Sequence, residues 1–175
     1  MREIIVDVEK WIGANKSIGL ATVISTWGSA PRGVGAKMAF TLEGDISGSV
    51  SGGCVETAVV EYGLEVIRTK RPKLLQFGVA DETAWEVGLA CGGKIEVFVQ
   101  PLDVSLFDRI RGSLELNQHV IRVTLLEGPE SWIGRELVLF DDESTAGSLD
   151  PGLDGAAIEI AKTRRGVAGA KKLII

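Results

Sequence analysis

Ile46-Ser47-Gly48-Ser49-Val50-Ser51-Gly52-Gly53-Cys54 is the stretch on which the fold of this chain turns. A strand of small residues, 46–50, runs into a Gly-Gly turn, and the turn opens a helix over 54–69. Val55, Val59, Tyr62, Val66 and Ile67 give that helix an apolar stripe. Glu56 sits in its first turn. Thr69-Lys70-Arg71 and Pro72 close it with cations and a breaker, as the helix dipole favours.

Upstream, Ile4, Ile5, Val8, Trp11 and Ile12 recur at helical spacing and predict an amphipathic helix over 2–14. Residues 16–27 are rich in β-branched side chains and read as a strand. Gly28-Ser29-Ala30-Pro31-Arg32-Gly33-Val34-Gly35-Ala36 is a loop. A strand over 37–42 follows, turned by Glu43-Gly44-Asp45. Downstream, strands are predicted at 74–77 and at 95–99, the latter stopped by Pro101. Residues 78–93 read as a loop with a short helical turn. A helix over 104–117, strands over 119–126 and 136–140 and an Ala-rich helix over 152–165 complete the pattern, which ends in an apolar Lys171-Lys172-Leu173-Ile174-Ile175. The expected class is α/β: a mixed sheet with flanking helices and no Rossmann domain.

The chain also compares with itself. At an offset of 99 residues Gly35 meets Gly134, Gly48-Ser49-Val50 meets Gly147-Ser148-Leu149, Gly53 meets Gly152 and Leu74-Leu75 meets Leu173-Ile174. The expectation is one domain over 1–175 with an internal pseudo-repeat, about 17–77 and 119–175, in two β-β-β-α-β halves. Repeated patterning by chance is the alternative. At this offset Cys54 falls against Leu153; in a true duplication the first half is expected to carry the chemistry and the second to be mainly scaffold.

Composition narrows the function. The 175 residues are 45% hydrophobic and 25% charged, a globular balance with enough chain for a sizeable core. Glycine is in excess: 22 residues, where an average chain of this length carries about 12. No G-X-Y period accompanies them, so collagen is excluded. A net charge of −5 argues against broad binding to nucleic acid or anionic membranes. One His and two Cys without a CxxC exclude zinc fingers and disulfide scaffolds. Charges interrupt the N-terminal apolar residues, and no run approaches the ~20 apolar residues of a membrane span. The expected location is the cytoplasm, with both thiols reduced.

Three segments can carry chemistry. In the first, the helix opened by Ser51-Gly52-Gly53-Cys54 offers unpaired N–H groups and a partial positive charge, which suit a phosphate. A thiol there tends to thiolate, a soft ligand for metals and sulfur chemistry. A small buried Cys at a tight turn fits the same pattern. In the second, Arg32, Gly33, Gly35 and Lys37 make a loop able to meet an anion. It lacks the spacing of a P-loop or of a dinucleotide fingerprint, and a hairpin with solvated charges is the simpler alternative. The third, Gly88-Leu89-Ala90-Cys91-Gly92-Gly93, mirrors the first and can bring a second thiol to the same site, or place Cys91 in the core. The single His119 has no evident Cys or Ser partner, and Trp27 borders the glycine loop.

These three segments, in this order, resemble the N-terminal domain of the xanthine dehydrogenase accessory factor family (XdhC/CoxI type). The carrying residues are 26–38, from Thr26-Trp27-Gly28 to Lys37-Met38, then Gly48 to Glu56, then Gly88 to Gly93. The resemblance implies a cytoplasmic chaperone that binds the molybdenum cofactor, permits its sulfuration by a cysteine desulfurase, and delivers it to a xanthine dehydrogenase-type molybdenum hydroxylase. It maps the cofactor-holding Cys, the contact to molybdenum, to Cys54. Gly52 and Gly53 would then cradle the phosphate beside Ser51, Arg32 and Lys37 would neutralise charge, and Cys91 and Gly92 would line the pocket. The family implies a homodimer. Its typical members add a Rossmann-like domain, so the resemblance also points to a separate Rossmann-domain chain as partner. Two other classes stay open: a thiol-dependent redox or sulfur-transfer enzyme using Cys54 and Cys91, and a scaffold subunit for that Rossmann chain.

Overall fold

The computed structural model describes residues 1–28, 30–78, 93–167 and 169–172. The described residues divide into two compact units, 1–102 with 169–172, and 103–167.

In the first unit a 3-10 turn (Arg2–Ile4) leads into α1 (Ile5–Gly13), followed by β1 (Ile18–Trp27), β2 (Lys37–Thr41), β3 (Ile46–Gly48), α2 (Glu56–Thr69), β4 (Lys73–Gly78) and β5 (Lys94–Pro101). The strands form one sheet in the order β3-β2-β1-β5-β4, and each of these pairings is antiparallel. Pro101 ends β5 while still pairing with Gly19. Lys70, left-handed at φ 58, stops α2 just before Pro72, and its N–H donates to the Val66 carbonyl.

α2 lies on one face of the sheet. Val55, Ala58, Val59, Val66 and Ile67 pack with Ala21, Val23, Met38, Phe40, Leu75, Phe77, Ile95, Val97 and Val99, all buried. The helix comes close because of two glycines. Phe40 pairs with Gly19 across the β1–β2 ladder. A Cβ on Gly19 would meet the Phe40 ring at 2.4 Å, and one on Gly63 of α2 would meet it at 2.1 Å. The ring is therefore seated between strand and helix at positions that exclude any larger side chain. A bulge between Val23 and Ser25 then reverses the alternation of β1. Thr26 pairs with the buried Ile95, and Trp27 pairs with Lys94 on the face away from α2.

The second unit holds α3 (Val104–Glu115), β6 (Val120–Thr124), β7 (Glu136–Phe140), β8 (Thr145–Gly147) and α4 (Pro151–Lys162), with the strands in the order β6-β7-β8. Leu137, Leu149 and Ala157 form its core, and Val123, Leu125, Leu153 and Ile158 pack against them.

The two units share local geometry. β7–β8 repeats β2–β3 at the offset of 99: Met38↔Gly48 corresponds to Leu137↔Gly147, and Phe40↔Ile46 to Leu139↔Thr145. Gly48 (φ 76) and Gly147 (φ 74) are both left-handed, and a Cβ on either would strike the carbonyl of Lys37 or Glu136 at 2.4 or 2.2 Å. The first strand of each unit corresponds at 102, Thr22↔Lys37 against Thr124↔Glu136. The three extra residues of the first unit fall between Thr22 and Lys37, a stretch that holds the bulged end of β1 as well as the glycine loop. The charge at this position also inverts. Lys37 Nζ donates to Thr22 Oγ1 at 2.9 Å, whereas Glu136 accepts from Thr124 Oγ1 at 3.0 Å and pairs with Arg122. Leu173 and Ile174 lie outside the described residues. No helix among the described residues is long and apolar enough to cross a membrane.

Candidate functional site

β1 and β3 run parallel across β2, so both end at the same edge of the sheet, where β2 begins. β4 ends there and β5 begins there, since Gly78 pairs with Lys94 and Lys94 with Trp27. The glycine loops 28–36 and 49–55 therefore leave the sheet from one end. The segment with Cys91 and Gly92 lies outside the described residues, but Gly78 and Lys94, on either side of it, sit at this same end.

The 49–55 loop is organised by Glu56. Its Oε1 accepts from Ser49 Oγ (2.5 Å) and from the N–H groups of Val50 (3.1 Å), Ser51 (2.8 Å) and Gly52 (3.1 Å). Its Oε2 accepts from Ser51 Oγ (2.5 Å) and from the N–H groups of Gly53 (2.9 Å) and Val55 (3.2 Å). Ser51 Oγ in turn accepts from the N–H groups of Cys54 and Val55, each at 3.0 Å. Burial would push the Glu56 carboxyl up, but the Ser49 and Ser51 hydroxyls and the backbone N–H bonds outweigh it and hold the pKa at about 2. Gly52 (φ 84) and Gly53 (φ 117) take the left-handed backbone that wraps the chain around this carboxylate.

This arrangement differs from the sequence expectation in two ways. The helix starts at Glu56 rather than at residue 54, with Val55 as its N-cap. The N–H groups of Gly52 and Gly53, expected to face a phosphate, donate to Glu56 instead. The reason is local: the chain carries its own anion within reach of those donors. The acidic residue in the first turn, seven and five residues after Ser49 and Ser51, was the signal. The spacing hid it, because a capping box pairs positions three apart and Ser51 and Glu56 are five apart. The Cys54 thiol is free and exposed.

The 28–36 loop is tied to this one. Arg32 Nε donates to the Ser49 carbonyl at 3.3 Å, and its Nη2 pairs with both oxygens of Glu3 at 2.8 and 2.7 Å. The Glu3 partner was not visible in sequence. A Cβ on Gly52 would touch Pro31 at 3.5 Å, and Gly33 and Gly53 face open space. Gly35 is left-handed (φ 94), and its N–H bonds the Val23 carbonyl at 2.8 Å. Arg32, Gly33, Gly35, Ser51, Gly52, Gly53 and Cys54 thus sit on two joined loops. Lys37 does not join them by its side chain. It lies on the sheet face away from α2, beside Thr22, while its carbonyl accepts from Ser49 N–H at 3.1 Å. Trp27 is 68% exposed, with Lys94 Nζ 6.0 Å from its ring centre. Among the described residues no group of three His, Cys, Asp or Glu is placed to hold a metal ion.

Residues 11–78 match the XdhC and CoxI family. This bears out the resemblance read from the first two motifs. The chain is 34% identical over 85 residues to YqeB, an uncharacterized protein of Escherichia coli K12, a match covering 49% of this chain and 16% of that protein. It is 33% identical over 90 residues to the molybdenum cofactor insertion chaperone PaoD of the same organism, covering 51% and 28%. A probable xanthine dehydrogenase subunit from Bacillus subtilis 168 is 30% identical over 115 residues, covering 62% and 34%. The chain thus spans about a third or less of these relatives. A crystal structure of a xanthine dehydrogenase from Bacillus halodurans superposes with a TM-score of 0.65 at 24% identity, over 82% of this chain and 44% of that one, a likeness of fold.

Proposed function

We propose, from the match of residues 11–78 to the XdhC and CoxI family, that this chain supplies the thiol-bearing part of a cytoplasmic maturation chaperone for a molybdenum enzyme. Its cargo is the molybdenum cofactor, and the receiver is a xanthine dehydrogenase-type molybdenum hydroxylase, with a cysteine desulfurase as the source of sulfur. The name of one relative, a molybdenum cofactor insertion chaperone, supports the class. The observation that carries the reading is the exposed Cys54 on a loop whose shape is fixed in advance by Glu56.

The residues divide the work by chemistry. Cys54 offers soft sulfur to the metal–sulfur centre of the cargo. Ser51, Gly52 and Gly53 hold the loop, and Gly33 and Gly53 keep the space beside it clear. Arg32 is the anion contact. Its pair with Glu3 is half-exposed, at 34% and 45% side-chain exposure, and such pairs are worth about 0–1 kcal/mol. An anionic group of the cargo can therefore displace Glu3 at small cost. Lys37, on the other face, is left out of this contact. A homodimer and a separate Rossmann-domain chain belong to the same reading as its assembly partners.

The test is retention. Purified chain, incubated without oxygen with molybdenum cofactor and passed through a desalting column, is expected to carry molybdenum and pterin in near-equal amounts. No retention would overturn the reading, and turnover of a disulfide or persulfide by the unloaded chain would favour the thiol-enzyme class. Arg32→Ala is expected to weaken retention about three- to tenfold, the worth of one charge-assisted contact, while the unfolding midpoint barely moves.

A further inference from the structure

We infer that Glu56 is a positioning residue for Cys54: its carboxylate takes the place of one turn of helix and so holds the thiol-bearing residues outside α2. The inference rests on the proposed function only in naming Cys54 as the cargo thiol.

The second unit provides the comparison within the same molecule. Ser148 Oγ and the Leu149 and Asp150 N–H groups donate to Asp154, at 2.6, 2.8 and 3.3 Å, as Ser49, Val50 and Ser51 donate to Glu56. The acid follows the serine by six residues there and by seven here. In the second unit α4 starts at Pro151, three residues before its acid, and the N–H groups of Leu153 and Asp154 bond the Asp150 carbonyl at 2.8 and 2.9 Å. In the first unit α2 starts at the acid itself, and the Gly53 and Val55 N–H groups bond the Glu56 carboxylate. Carboxylate bonds have replaced the backbone bonds of that turn.

Two sequence differences make the exchange feasible. The first unit has one more residue between serine and acid, and Gly52 and Gly53 supply left-handed backbone. Glutamate is one methylene longer than aspartate and reaches back to the donors from the first helical position. The apolar anchors are unchanged, because Val55 and Leu153, each just before its acid, both pack into a core. The added residue therefore falls in the segment that carries Cys54, and the thiol emerges where the second unit has wound helix.

Deleting Gly53 together with Glu56→Asp gives the first unit the spacing of the second while keeping a carboxylate cap. In the full chain this variant is expected to fold with a near-unchanged unfolding midpoint and to show helical backbone chemical shifts at Cys54 and Val55. Its cofactor retention is expected to drop at least tenfold, to the level of Cys54→Ser. Shifts that stay non-helical, or helical shifts with wild-type retention, would overturn the inference. Should wild type retain no cofactor, the proposed function fails and the chemical shifts alone decide the positioning role. Should the deletion variant not fold, Glu56→Gln decides. Amide exchange at residues 51–53 is then expected to speed at least tenfold with that of residues 62–66 unchanged, and unchanged exchange at 51–53 would overturn it.

Discussion

Phe40→Ala is expected to destabilise the first unit by about 4 kcal/mol, in the range for emptying a buried aromatic site. Phe40 has no exposed surface, and its ring fills the gap between β1 and α2 at Gly19 and Gly63. Gly63→Ala is expected to cost about 2 kcal/mol even though alanine is the better helix former by about 1 kcal/mol. The new Cβ would stand 2.1 Å from a ring seated in a close-packed sheet, so α2 must lift. The coupling is the sharper prediction. In the Phe40→Ala background the ring is gone, and Gly63→Ala is expected to be neutral or stabilising. A double-mutant cycle by urea denaturation reads this directly, and additive costs would contradict the packing.

Glu56→Ala is expected to cost about 2 kcal/mol, because the Ser51 and Val50 groups that lose their acceptor are buried, whereas Gly52 and Gly53 are exposed and return to water. The pH dependence follows from the sign of the shift. The carboxyl sits at about 2 in the folded chain against an ordinary 4.5. Its stabilisation is therefore complete above about pH 4.5 and is lost as pH falls toward 2. Wild type and Glu56→Ala are expected to differ fully at neutral pH and to converge across that window. A constant difference down to pH 2 would show that the ionised carboxylate is not what organises the loop.

Much of the fold was legible because its elements carry strong local signals. The stripe of α2, the β-branched run of β1 and the apolar run at 137–140 each appear within a few residues of their predicted ends. What was not legible depended on contacts across the chain. The bulge in β1 turns Trp27 outward, yet nothing local marks it, since Val23, Ile24 and Ser25 read as ordinary strand. The start of α2 moved from 54 to 56 because a side chain competed for backbone donors. Arg32 was legible as an anion contact, but its present anion, Glu3, is 29 residues away and shares no motif with it. The charge inversion between Lys37 and Glu136 emerges only once the ladders show that the two positions correspond.

The proposed function turns on one sulfur atom, and exchanging it for oxygen is the most direct test. Wild type and Cys54→Ser, both as full chains, would be loaded anaerobically with molybdenum cofactor and assayed for retained molybdenum and pterin. Serine keeps the size and the Ser51 hydrogen bond to the residue 54 N–H, so the loop is expected to persist while the soft ligand is removed. A soft-ligand role for Cys54 predicts at least a tenfold loss, about 1.4 kcal/mol or more of binding. Equal retention by the two proteins would contradict it.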